Sequence, residues 1–145
     1  MAITLRRLAS NLESLTDQLG EGANELKQKV ATAILRDLLE NVPVDTTAAL
    51  SNFQVSLQTP RLSEIGARIP GKQGSTREAS LAATETEALR VIAGSSAGEV
   101  IYITNTVDYL KYLNDGSSTQ APAGFIERSV LIGRRLVKEG LEVSL

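Results

Sequence analysis

The sequence predicts an α+β protein in which about four helices surround a small antiparallel sheet. Two observations predict this fold. Apolar residues recur every three or four positions over long stretches, which is typical of helices. Two short segments instead alternate apolar and polar residues or are rich in β-branched residues, as strands are. At 145 residues the chain has the length of one domain, which we place at residues 21–145 behind an N-terminal helical arm at residues 1–20.

The N-terminal arm carries a narrow stripe of leucines. The stripe has spacings of three and four residues and consists of Leu5, Leu8, Leu12, Leu15 and Leu19. Gly20 and Gly22 follow it and should break or bend the helix. Two interpretations stay open. The helix packs on the core of its own domain, or it docks on a neighbouring subunit.

A second helix is predicted from about Ala23 to Asn41. Its apolar face repeats every four residues, through Leu26, Val30, Ile34 and Leu38. The opposite, polar side is filled by Lys27, Lys29, Arg36, Asp37 and Glu40. Pro43 stops the helix because proline disfavours the α conformation in the residue before it. Asp45 is then placed to cap the turn at residues 46–50 with its side chain.

The segment Asn52–Gln58 alternates strictly and predicts a strand that faces the core through Phe53, Val55 and Leu57. The next segment, Pro60–Gly74, contains two prolines and three glycines and is predicted to be a long loop. Loops of this length in compact domains are usually functional or disordered.

The second half of the chain begins with a capping-box pattern, in which Ser75 would be the N-cap and Glu78 its partner. The helix it opens should run to Ala93. Val100–Thr104 predicts a central, buried strand, and Asn114-Asp115-Gly116 predicts a turn. Pro122 suits the first turn of a C-terminal helix, which Gly140 should end.

The composition argues against catalysis and against ligand binding. There is no Cys and no His, so thiol chemistry and the commonest general base are excluded. The net charge of −2 gives no general attraction to DNA or to anionic membranes. Gly71–Thr76 resembles a phosphate-binding loop, but Lys72 is not followed directly by Ser or Thr. We therefore expect no enzyme, cofactor, metal or membrane span, and synthesis in a cytosol.

Two stretches carry a more specific pattern. The first is Pro43–Thr46 followed by Asn52–Ser56, and the second runs from Ile101 through Phe125. In this order they resemble the neck, or tail-completion, proteins of long-tailed bacteriophages, over roughly residues 22–138. The residues that carry the resemblance as a scaffold are Pro43, Val44, Asp45, Thr46, Asn105, Tyr109, Leu113, Gly116, Ser118, Gln120, Ala121, Pro122 and Gly124.

The physical roles of these residues agree with a scaffold. Gly116 permits a sharp reversal of the main chain. Asn105, Ser117, Ser118 and Gln120 can satisfy the backbone groups of the reversing chain. Tyr109, Tyr112 and Leu113 are expected to pack the turn onto the core. One departure concerns Thr47, where the family usually has Gly, so the turn here is either right-handed or compensated.

The resemblance implies a homo-oligomeric ring, a hexamer or dodecamer, between the head connector and the tail tube or terminator protein. Double-stranded DNA would pass through its lumen without specific binding. The protein would belong to the virion and be made in the host bacterial cytoplasm. A ring needs two different contact surfaces on each subunit. The candidates are the leucine arm and the long loop with Ile65 and Ile69. A tail terminator and a small cytosolic adaptor domain are the alternatives.

Overall fold

The computed structural model describes residues 21–116, 119–121 and 123–144. The leucine arm, Ser117, Ser118 and Pro122 lie outside the described residues, so the predictions made for them are not tested. Gly22 lies inside the helix Glu21–Asn41, so the prediction that it breaks the helix is wrong. The described part contains five helices and a two-stranded antiparallel sheet, which confirms the α+β prediction. In chain order they are α1 (Glu21–Asn41), α2 (Ala48–Ser51), β1 (Gln54–Leu57), α3 (Arg77–Ala93), β2 (Ile101–Thr104), α4 (Leu110–Asn114) and α5 (Phe125–Ser144).

The core is built around α1, which packs against α5 and α3. On its apolar face Val30, Ile34 and Leu38 are fully buried, as the four-residue repeat predicts, and Leu26 is half-buried. The α1–α5 pair is antiparallel, because Leu26 lies opposite Gly140 while Asp37 accepts a hydrogen bond from Ser129.

Gly140 does not end α5, so that prediction is wrong. It lies inside the helix, where a Cβ would come within 2.6 Å of Leu26 Cδ1. The glycine therefore allows the two helices to approach closely. The helix also begins at Phe125, after the position expected for its first turn.

The sheet pairs β1 with β2 in antiparallel register, with Gln54 opposite Thr104 and Leu57 opposite Ile101. Phe53 and Val55 are buried against the core and Leu57 is half-buried, as predicted. The strand at Ile101–Thr104 is buried, but it is not central, because the sheet in the described residues has only two strands.

Two predicted helix caps are wrong. Asp45 does not cap the turn before α2, and its Oδ1 instead accepts a hydrogen bond from the Gln73 main-chain N–H at 2.5 Å. Ser75 is not the N-cap of α3. That position is Thr76, and the Ser75 hydroxyl accepts a bond from Lys72 N–H at 3.2 Å. Both side chains bind the loop because its reversing main chain offers N–H donors that no helix or strand uses.

Lys27 was predicted to lie on the polar side of α1, and this prediction is wrong. The side chain is fully buried. Its Nζ donates to the carbonyl oxygens of Ser96 at 2.8 Å and Glu99 at 2.6 Å. Burial lowers the pKa of this ammonium from 10.5, and the nearby Glu99 carboxylate opposes the shift. The lysine therefore holds the turn between α3 and β2 against helix α1.

Candidate assembly surfaces

The long loop between β1 and α3 packs over one face of the sheet, which we call the loop side. Asn52 Nδ2 donates to Ile65 O at 2.9 Å, and Asn52 Oδ1 accepts from Ile65 N–H at 2.8 Å. Gln54 donates to Ser63 O at 2.8 Å. These side chains are buried, and they supply the hydrogen bonds that a neighbouring strand would otherwise give to the main chain of the loop.

The part of the loop that precedes α3 is also anchored by hydrogen bonds. The hydroxyls of Thr47 and Thr76 both donate to Ile69 O, at 3.0 and 2.6 Å. Arg68 N–H donates to the buried Ser51 hydroxyl at 3.0 Å. Gly74 N–H donates to Asp45 O at 2.9 Å. The loop is therefore a defined surface of the domain.

The two candidate interface residues of the loop have similar surroundings. Ile65 and Ile69 are both half-buried, and their main-chain groups take part in the anchoring bonds. The largest exposed apolar side chain of the loop is Leu62, which is 58% exposed. A contact role for Ile65 and Ile69 stays a prediction, and Leu62 is the more accessible apolar residue on the same surface.

The two stretches that carry the family resemblance meet in space. Gln120 Nε2 donates to Val44 O at 3.0 Å, and its Oε1 accepts from Val44 N–H at 2.8 Å. Asn105 Nδ2 donates to Ala49 O at 2.8 Å, and its Oδ1 accepts from Val107 N–H at 3.1 Å. The prediction that Asn105 and Gln120 satisfy main-chain groups is confirmed.

The chain reversal before α5 is organised by Asn114. Its main-chain oxygen accepts from Gly124 N–H at 2.7 Å, and its side-chain oxygen accepts from Ile126 N–H at 2.9 Å. Gly116 has φ +91°, which confirms the predicted turn and its need for glycine. Gly124 also has a positive φ, of +82°. Ala121 is buried between these turns and belongs to the core.

The tyrosines behave differently from each other. Tyr112 is 66% exposed, so the prediction that it packs on the core is wrong, because it projects from the outer side of the short helix α4. Leu113 is half-buried against the core, as predicted. Tyr109 is less exposed than Tyr112, at 43%, but it is not among the side chains that pack on the core, so the prediction is wrong for it too. Partial burial raises the pKa of Tyr109, a hydrogen bond with the Ala49 main chain opposes this shift, and the Glu64 and Asp45 carboxylates add to it.

Tyr109 and Leu113 line a groove of about 380 Å³ that we call the turn groove. Its other wall is the turn at residues 43–49, including Pro43 and the exposed Asp45 and Thr46. Thr47 in this wall has φ +71°, so the turn is left-handed and is compensated by the bond from its hydroxyl to Ile69. Residues from both resemblance stretches thus line one groove.

A second groove lies between α1, α3 and α5, and we call it the three-helix groove. It has a volume of about 540 Å³. Its apolar lining is Ala33, Leu89, Ile92, Ala93 and Leu136, and its polar lining is Glu25, Gln28, Lys29, Thr32 and Arg36. No feature of the sequence predicted this groove, because it depends on how three helices cross.

Positive charge collects where the loop meets α3. Arg90 binds Glu87 through two hydrogen bonds, at 2.7 and 3.0 Å. This bond lowers the pKa of Glu87, and the charges of Arg90, Arg68 and Arg61 lower it further. Arg61 and Arg68 line one small pocket together with Glu87, although the whole chain has a net charge of −2.

The described residues contain no group of three or more Asp or Glu side chains placed to hold a metal ion. Within the same residues, no helix combines the length and the apolar character that crossing a bilayer requires. Comparisons with protein families, with curated proteins and with solved structures found no match to this chain.

Proposed function

We propose that this chain is a structural protein of the phage head–tail neck, where it forms a ring and joins the tail to the head connector. The observation that carries the proposal is the bidentate bond between Gln120 and Val44. It joins the two stretches that resemble neck proteins, which lie 76 residues apart in sequence. Both stretches resemble neck proteins, and they contact each other in the folded chain. Together they support a fold in common with neck proteins better than either stretch does alone.

The side-chain amides around the two turns also favour a structural role. Asn105 and Gln120 bind main-chain atoms, and Asn114 accepts from Ile126 N–H while it donates to the Glu127 carboxylate, so they hold the turns together. Such residues fix the shape of a surface and have no proton to transfer at neutral pH. A joining protein needs a surface of fixed shape more than it needs reactive groups.

A ring of identical subunits also needs two different surfaces on each copy. The anchored loop supplies one surface, with the exposed Leu62 at its outer side. The exposed side of α5 supplies another, where Leu131 is 57% exposed between charged residues. Scattered exposed leucines are common, but these two lie on separate elements, as a head-to-tail contact would require.

Size-exclusion chromatography with light scattering, over a concentration series and with purified tails, tests the ring. We expect a hexamer or a dodecamer of the 15.5 kDa chain, either free or bound to tails. A protein that remains a monomer in both situations would contradict the proposal and favour an adaptor domain.

Imaging of particles that lack this protein separates a neck protein from a tail terminator. The neck role predicts finished tails of normal length beside full heads. Overlong tail tubes would assign the chain to termination instead, because a terminator stops the growth of the tube.

A further inference from the structure

We propose that the leucine stripe of residues 1–20 in one copy docks into the three-helix groove of a neighbouring copy. The inference rests on the ring assembly proposed above and adds a further contact between neighbouring copies to the two surfaces named there. The occupant is a segment of this chain, and the receptor is the groove lined by Ala33, Leu89, Ala93 and Leu136.

The groove has the length and lining that an amphipathic helix needs. At about 1.5 Å per residue, its α1 wall from Glu25 to Arg36 is roughly 16 Å long. By the same rise, a helical stripe from Leu5 to Leu19 would be roughly 21 Å long. A stripe of one leucine every 3.5 residues presents a narrow apolar edge, which fits a groove between helices better than a flat surface.

The connection to α1 argues against docking in the same copy. Helix α1 has already begun at Glu21, so only Gly20 separates it from Leu19. Two antiparallel helices need a connecting loop of about two to five residues. The stripe could not fold back along its own α1 without unwinding part of one of the two helices. A neighbouring copy imposes no such restriction.

The rim of the groove offers both signs of charge. Glu25 and Lys29 are exposed, and neither has an ion-pair partner among the described residues. The segment at residues 1–20 also carries both signs, with Arg6 and Arg7 near one end and Glu13 and Asp17 nearer the other. Glu25 and Lys29 lie one helical turn apart, so a charge of either sign on the docked segment could find an opposite charge at this part of the rim.

Cysteine pairing tests this contact cleanly, because the natural chain has no cysteine. One full-length variant carries Leu12→Cys in the stripe, and a second carries Ala93→Cys in the groove. The two are co-expressed and oxidised. We expect a covalent dimer that contains one copy of each variant, identified by mass spectrometry of the linked peptides.

The matched control is Ala82→Cys, which is exposed on the same helix as Ala93. It does not line the groove, and at about 1.5 Å per residue it lies roughly 16 Å away from Ala93. We expect it to give less than a tenth of the crosslinking with Leu12→Cys. Equal crosslinking at both positions would mean random collision and would overturn the proposal.

A third variant combines Leu12→Cys and Ala93→Cys in one chain. A disulfide within single, monomeric chains, with none between co-expressed chains, would overturn the proposal by showing that the stripe docks in its own copy. Absence of both products would overturn it too.

The mass of the crosslinked species separates this inference from the proposed ring. A crosslinked closed dimer would support docking but contradict the ring. A ring without the crosslink would support the ring but place its contact elsewhere. Ala93→Arg should weaken assembly at least tenfold, whereas Ala82→Arg should leave it unchanged. Equal assembly by these two variants would overturn the proposal.

Discussion

The two sides of the small sheet are both covered, but by different physical means. On the helix side, Phe53, Val55 and Ile103 pack into the apolar core. On the loop side, Gln54 and its cross-strand neighbour Thr104 are buried beneath the loop and bind its main chain. The first side needs only apolar side chains of suitable size, whereas the second needs particular donors and acceptors at particular positions.

This difference predicts different consequences of mutation. Damage on the helix side should lower the stability of the whole domain. Damage on the loop side should also release the loop, which is a candidate contact surface, from its defined position.

Phe53→Ala should lower the free energy of unfolding by about 3–5 kcal/mol, because it removes a fully buried aromatic side chain and leaves a cavity. Urea denaturation followed by circular dichroism measures the change. The exposed Ser63→Ala variant is the control and should change stability by less than about 0.5 kcal/mol. A similar loss in both variants would show that the helix side is not the main source of stability.

Asn52→Leu should cost about 2–4 kcal/mol, because it removes both bonds to Ile65 and leaves buried main-chain groups without partners. It should also speed tryptic cleavage after Arg61 and Arg68 by more than its loss of stability accounts for. Phe53→Ala at matched stability is the comparison. If the two variants are cleaved equally fast, the side-chain bonds do not hold the loop.

Lys27→Met should lower stability by about 1–2 kcal/mol at neutral pH, because the carbonyls of Ser96 and Glu99 lose a charged donor. The pKa of Lys27 is lower in the folded state than its ordinary 10.5. Between the folded and unfolded pKa values the unfolded chain binds more protons, so stability rises with pH there.

The advantage of the natural chain over Lys27→Met should therefore grow as the pH approaches 10.5 from below. Urea midpoints of both proteins, measured across this range, give the difference directly. A stability difference that stays constant with pH would contradict the lowered pKa of Lys27. A difference that shrinks as the pH rises would indicate a raised pKa instead.

Thr47 allows the smallest and most specific test. Thr47→Gly relieves the positive φ but loses the bond to Ile69, so the net change should stay within about 1 kcal/mol. Thr47→Val keeps the strain and loses the same bond, so it should cost about 1–2 kcal/mol. Equal stability of the two variants in urea would show that the left-handed turn stores no strain.

The sequence predicted the fold where one periodicity dominates. The four-residue repeat through Leu26, Val30 and Ile34 placed α1, and strict alternation placed β1. Alternation also says that Gln54 faces away from the core. It cannot say whether water or a loop covers that face, since a polar side chain suits both. The predicted cap at Asp45 is wrong for a similar reason. Its carboxylate oxygen can accept a hydrogen bond from the N–H of a helix end or from the N–H of the distant Gln73, and the sequence does not distinguish the two.

The assembly surfaces were predicted less completely than the fold. The resemblance residues Asn105 and Gln120 were expected to bind main-chain groups, and they do. The three-helix groove was missed because it depends on the crossing of α1, α3 and α5. Gly140 carried a signal for this crossing, but a glycine near the end of a helical pattern is ordinarily interpreted as a helix stop.

We propose that identical copies of this chain close into a ring at the end of a tail. Electron-microscopy class averages of purified tails incubated with the full chain test this ring. The proposal predicts a closed ring with hexameric or dodecameric symmetry at the head-proximal end of the tail, which Leu12→Glu should abolish. Tails that remain unchanged by an excess of the folded protein would contradict it.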